Sequence, residues 1–151
     1  DVSPTGRYAE FMRTGWAPSN LEGLQPLEVV TYAFTRRQVL SAAFANIRIV
    51  IPAGNYKTRS NDTEYVFRPH SAFAFYAGVQ GADAVPDSVL VMEPNESGGH
   101  DSYLYLHPRS TRESDAFYTD RKYGELWVGR HFTLDEANTV FCLLNSNQYQ
   151  Y

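Results

Sequence analysis

The sequence predicts an α/β domain in which helices pack against a mixed β-sheet. Apolar residues recur at three- to four-residue spacing between Pro26 and Asn46, as on one face of a helix. Short apolar segments at residues 47–51, 88–93 and 102–107 read as strands, and a second helical signal begins at Thr133. Helical and extended segments therefore interleave along the chain.

At 151 residues the chain suits one ordinary domain, because either half alone would lack a sufficient core. Residues 1–26 are punctuated by Pro4, Gly6, Gly15, Pro18, Gly23 and Pro26 and form an N-terminal extension, with one short helix around Arg7–Thr14. Its Tyr8, Phe11 and Trp16 require something to pack on. Residues 27–151 form a single α/β domain. Val29, Ala33, Phe34, Val39, Leu40, Ala43 and Phe44 mark its first helix, and Ile47–Ile51 a strand that Pro52-Ala53-Gly54 ends. Residues 55–71 are polar and aromatic without a period, so they read as a long loop, a kind of segment that is often functional.

Phe73–Gly78 reads as the next strand. Ser88–Glu93 and Ser102–His107 then pair around a glycine-rich turn, with His100 and Asp101 inside it. One or two helical turns are expected within 110–118 and a short strand at Leu126–Val128. Thr133 and Glu136 have the spacing of a capping box at the start of a helix. The last eight residues, LNSNQYQY, show no period and read as a frayed end.

Charge and composition exclude several functions. The net charge is −4 and Lys and Arg are scattered, which argues against a nucleic-acid surface. No apolar run approaches the roughly 18 residues of a membrane span, and the N-terminus lacks the order of a signal peptide. The single cysteine, Cys142, excludes an internal disulfide and fits a reducing, cytoplasmic setting. It lies in the apolar run Val140–Leu144, where a thiol is usually an inert core group. None of His70, His100, His107 and His131 stands three or four residues from another, the close spacing of a ligand pair on one helix, which argues against a metal site made by this chain alone. Neither a nucleophile elbow nor a phosphate-binding glycine loop is present. The residues favour a binding or assembly domain over a complete enzyme.

Two segments stand apart. Thr58–Arg68 (TRSNDTEYVFR) sets Arg59, Asp62, Glu64 and Arg68 among Tyr65 and Phe67. Gly124–Arg130 (GELWVGR) places a tryptophan between glycines. Read alone, the first is a solvated loop anchored by aromatics and the second a core tryptophan at a strand end. A functional tryptophan would instead form an apolar wall for a ring such as proline.

The pattern R-S-x-D-x-E-Y-x-F-R from Arg59 to Arg68, continued by Ser71, Phe73, Tyr76 and Gly78, resembles the amino-terminal domain of aminopeptidase P. The apolar strand Asp87–Glu93, the segment Leu104–Arg109 and the W-x-G-R of Trp127–Arg130 follow in the family's order, so the likeness runs over about residues 32–132. His131 stands where the family often has a second arginine, an insertion lies between Gly78 and Asp87, and the first 26 and last ten residues have no evident counterpart. The resemblance implies the mixed sheet and flanking helices of creatinase and prolidase amino-terminal domains, a ribonuclease H-like motif. It implies a non-catalytic domain that supports oligomer assembly and shapes substrate access in a metal-dependent Xaa-Pro aminopeptidase. Such enzymes remove the residue preceding a proline from peptides. The implied partners are the protein's own catalytic domain, further copies of itself and proline-containing peptides. The catalytic "pita-bread" domain, with its two divalent ions (usually manganese), would lie outside this chain, which would hold no cofactor itself. By residue match, Asp62 resembles the acid that approaches a neighbouring subunit's substrate amine, and Trp127 the tryptophan that closes the substrate pocket. Arg59 and Arg130 flank them in the same motifs. A prolidase amino-terminal domain, or a free-standing binding module on the same scaffold, are the alternatives.

Overall fold

The computed structural model describes residues 6–18, 22–141 and 145–148. It divides into two compact units, one of residues 1–23 with 109–131 and the other of residues 24–108 with 132–151.

The larger unit holds the sheet. Helix α2 (Val29–Ala43) follows the chain's first helix, α1 (Gly6–Arg13), and buries Val30, Ala33, Arg37 and Ser41, a stripe at helical spacing. Strand β1 (Ile49–Pro52) pairs antiparallel with β4 (Val89–Pro94), and β4 with β5 (His100–Leu106). Alternation along β4 and β5 turns Leu90, Met92, Leu104 and Leu106 into the core. Strand β6 (Asn145–Gln148) completes the order β1-β4-β5-β6 by pairing parallel with β5, which makes the sheet mixed. The fold class is thus the expected one. The expected frayed end is corrected, because residues 145–148 are a strand. Their backbone amides and carbonyls pair with β5, a stabilisation that an apolar period does not reveal. Cys142 lies outside the described residues.

Three further expectations change. Residues 55–71 are not an unstructured loop. They contain a small hairpin of β2 (Thr58–Ser60) and β3 (Thr63–Glu64), turned at Asn61 with φ 46°. His100 and Asp101 are not in the turn but open β5, opposite Pro94 and Glu93. The turn is closed by Asn95, whose Oδ1 accepts from the Gly99 amide at 3.0 Å and the Ser97 hydroxyl at 2.7 Å. His100 is a structural tie instead. Its Nε2 lies 2.8 Å from the Ile47 carbonyl and its Nδ1 2.8 Å from the Ser41 hydroxyl, which joins α2 to the sheet.

The third change is residues 73–78, which form helix α3 (Ser71–Ala77) rather than a strand. Phe73 and Ala77, four apart, are buried, whereas Phe75 is exposed, so the packing period is helical. Gly78 ends the helix at φ 75° and returns its amide to the Ala74 carbonyl. Helix α2 supplies the last carbonyls with donors. Arg37 reaches the Tyr76 carbonyl at 2.8 Å, and Arg36 reaches that of Phe75 at 3.1 Å while stacking on the Phe75 ring. Burial pushes the pKa of the Arg37 guanidinium down from its usual value.

The core joins Ala53, Phe73, Ala77, Val79, Leu90, Leu104 and Leu106 to Ala137, Val140 and Phe141 of helix α6 (Leu134–Phe141). The capping box forms as expected. The Thr133 amide donates to Glu136 Oε2 at 2.8 Å, and the Glu136 amide to Thr133 Oγ1 at 3.2 Å. Thr133→Ala is expected to lower unfolding free energy by about 1 kcal/mol. Urea unfolding checks it, and an unchanged midpoint would show that the cap contributes nothing.

Candidate functional site

Asp62 and Arg59 share the β2–β3 hairpin. Asp62 follows the turn residue Asn61, and both side chains are exposed. A turn that needs positive φ is accessible to asparagine, and it leaves the neighbouring carboxylate in water. Asp62 makes no hydrogen bond or ion pair among the described residues.

At the base of this hairpin lie two clefts of about 460 and 470 Å³ that share Phe67, Arg68, Pro69 and Ser71. Lys57 and His70 line one, and Arg36 and Phe75 the other. No Asp or Glu lines either. In sequence Arg68 is only the end of a motif, with no sign that two clefts would meet on it.

Trp127 and Arg130 belong to the smaller unit. Residues 125–128 form the short helix α5 (Glu125–Val128) rather than the expected strand. Gly124 opens the helix and Gly129 closes it, at φ 82° and ψ −175°, a conformation that essentially only glycine adopts. Trp127 is 54% exposed, so this is not a core tryptophan. Its Nε1–H donates to the Tyr118 carbonyl at 2.8 Å, and the Arg121 guanidinium lies 5.6 Å from the ring centre. The ring is thus tethered by its polar edge with much of its apolar surface accessible. Arg130 is half-buried just beyond the helix.

Tyr118 is on helix α4 (Ala116–Thr119), within the stretch where helical turns were expected. Its hydroxyl donates to Asp115 at 3.0 Å, and burial followed by the Asp115 carboxylate pushes its pKa up. Nothing in residue spacing marks Tyr118 as the acceptor for Trp127, since the bond depends on two helices meeting.

Among the described residues no three His, Cys, Asp or Glu side chains stand together as a metal ion would require. None of their helices is long and apolar enough to cross a membrane.

The family described as aminopeptidase P, N-terminal domain, matches residues 32–149, so the match reaches well into the last ten residues, where no counterpart had been evident. The chain is 49% identical over 133 residues to Xaa-Pro aminopeptidase 1 of Streptomyces coelicolor, covering 88% of this chain and 26% of that protein. Against Xaa-Pro aminopeptidase 2 of the same organism it is 45% identical over 139 residues, covering 92% and 28%. The chain therefore spans about a quarter of the length of these relatives. The low-pH form of aminopeptidase P from E. coli shares the fold, with a TM-score of 0.61 at 24% identity over 79% of this chain and 24% of that one. A match across most of the chain, spanning residues 32–149, places this chain in the aminopeptidase P N-terminal domain family.

Proposed function

We propose that the chain serves as the non-catalytic amino-terminal domain of a cytoplasmic, metal-dependent Xaa-Pro aminopeptidase. In that role it supports oligomer assembly and shapes access to an active site carried by a catalytic domain that holds manganese. Extending 1–26 as an appendage and 27–151 as the domain body belongs to the same proposal. The observation that carries it is the presentation of Asp62, an exposed carboxylate at the tip of the β2–β3 hairpin with no hydrogen bond or ion pair among the described residues. A carboxylate so placed suits a peptide's terminal ammonium, and a tethered indole face such as that of Trp127 suits a proline ring. Arg59 and Arg130 would flank these two contacts.

In the full-length enzyme, Asp62→Asn is expected to lower kcat/KM on an Xaa-Pro peptide by roughly tenfold, the size of a lost charge-assisted hydrogen bond. Trp127→Ala is expected to raise KM with a smaller change in kcat. Unchanged kinetics in both variants, with the oligomer intact, would sink the proposal.

A further inference from the structure

The segment from Tyr8 to Ala17 precedes residue 32, where the family match begins. It is nevertheless built into the support of Trp127. Tyr8 meets Tyr118 edge-on at 6.1 Å between ring centres, and Trp16 meets Phe117 in the same way at 6.1 Å. Arg13 pairs with Asp115, the residue that also accepts from the Tyr118 hydroxyl. Arg112 gathers the remaining ends. Its guanidinium donates to the Trp16 carbonyl at 3.2 Å and to the Ala17 carbonyl, lies 5.9 Å from the centre of the Phe117 ring, and stands 3.9 Å from Glu125 in the first turn of α5.

These contacts gather on α4, its N-cap and the first turn of α5. The Tyr118 carbonyl that holds the Trp127 indole belongs to a four-residue helix, and so short a helix has almost no stability of its own. The support of α4 includes the segment packed on Phe117, Tyr118 and Asp115. What fixes α5 against the same support includes the Glu125–Arg112 pair, most of which is withdrawn from water. An ion pair so placed is more sensitive to loss of one partner than an exposed one.

We propose that residues 8–17, acting through Arg112, are a positioning element for Trp127. They do not touch substrate. They hold the carbonyl that sets the orientation of the indole, so a segment outside the family match tunes the apolar wall inside it. The inference rests on the reading of Trp127 as a pocket wall, but its test does not depend on that reading.

The chain's two tryptophans are Trp16 and Trp127. Trp16→Phe keeps an aromatic ring against Phe117 and leaves Trp127 as the sole indole of residues 1–151, visible as one N–H resonance when this chain is ¹⁵N-labelled. In that background Arg112→Met is expected to shift this resonance and speed its hydrogen exchange by roughly tenfold, with acrylamide quenching of the indole up about twofold. Tyr8→Leu should move the same signals less, and Arg112→Lys should restore part of the protection. Amides of β4 and β5 should keep their exchange rates in all variants. An indole resonance and exchange rate unchanged in both Arg112→Met and Tyr8→Leu would overturn the proposal. If Arg112→Met fails to fold, the milder Tyr8→Leu decides the matter by the same signal. Kinetics of the full-length enzyme separate the two ideas. Xaa-Pro cleavage indifferent to Trp127→Ala removes the pocket reading, while the indole signal still decides the positioning.

Discussion

Gly124→Ala is expected to destabilise the smaller unit by about 3 kcal/mol or more, at the upper end of overpacking costs. A Cβ at this position would lie 2.4 Å from the Asp120 carbonyl oxygen, 2.5 Å from that of Ala116 and 2.8 Å from that of Phe117. All three are backbone atoms of one tight turn and cannot swing aside as a side chain would. The Gly124 φ of −67° is open to any residue, so the cost is steric rather than conformational. Gly129 supplies the contrast. A Cβ there meets nothing within 4 Å, but φ is 82°. Gly129→Ala should therefore cost about 1–3 kcal/mol from backbone strain alone. Both tryptophans lie in this unit, so urea unfolding followed by tryptophan emission reads it directly. Equal midpoints for wild type and Gly124→Ala would show that α4 and α5 do not close as described.

Phe73→Ala is expected to cost about 3–5 kcal/mol, the range for removing a fully buried aromatic ring. Phe73 has no exposed surface and sits in the core with Leu90, Leu104 and Phe141. It is the main apolar anchor of a seven-residue helix, which would not form alone in water. Phe73→Leu keeps much of the volume and should cost appreciably less. Unfolding monitored by far-ultraviolet circular dichroism and by exchange of the β4–β5 amides checks the pair. A loss below about 1 kcal/mol for Phe73→Ala would mean that α3 does not anchor this core.

Phe73 also shows where sequence reading stops. The run Phe73–Gly78 is short and rich in aromatic residues and reads as a strand, while the signals that make it a helix come from elsewhere. Arg36 and Arg37 arrive from α2 to take the Phe75 and Tyr76 carbonyls, and Ala33 is small enough for Gly78 to approach closely. Residues 126–128 read as a strand for a related reason, since a helix of one turn has no period to detect and is set by the glycines at its ends. By contrast, the Thr133–Glu136 box and the β4–β5 hairpin were legible because their determinants lie within a few residues of each other. The same division holds for the site. The motifs picked out Asp62 and Trp127, but the tether from Trp127 to Tyr118, and the support from Arg112 behind it, join residues whose spacing carries no pattern.

The smaller unit is made from two stretches of chain, with the whole of residues 24–108 between them. This has a consequence during synthesis. Trp16 leaves the ribosome about 100 residues before the Phe117 on which it will pack, an interval of roughly 5–20 s at ordinary elongation rates. Throughout that time α1 is an eight-residue helix without a partner, too short to persist, and Tyr8, Phe11 and Trp16 are open to chaperones and proteases. This earlier-made stretch is thus among the last to find its place, and the support of Trp127 is completed only after the 109–131 stretch has emerged.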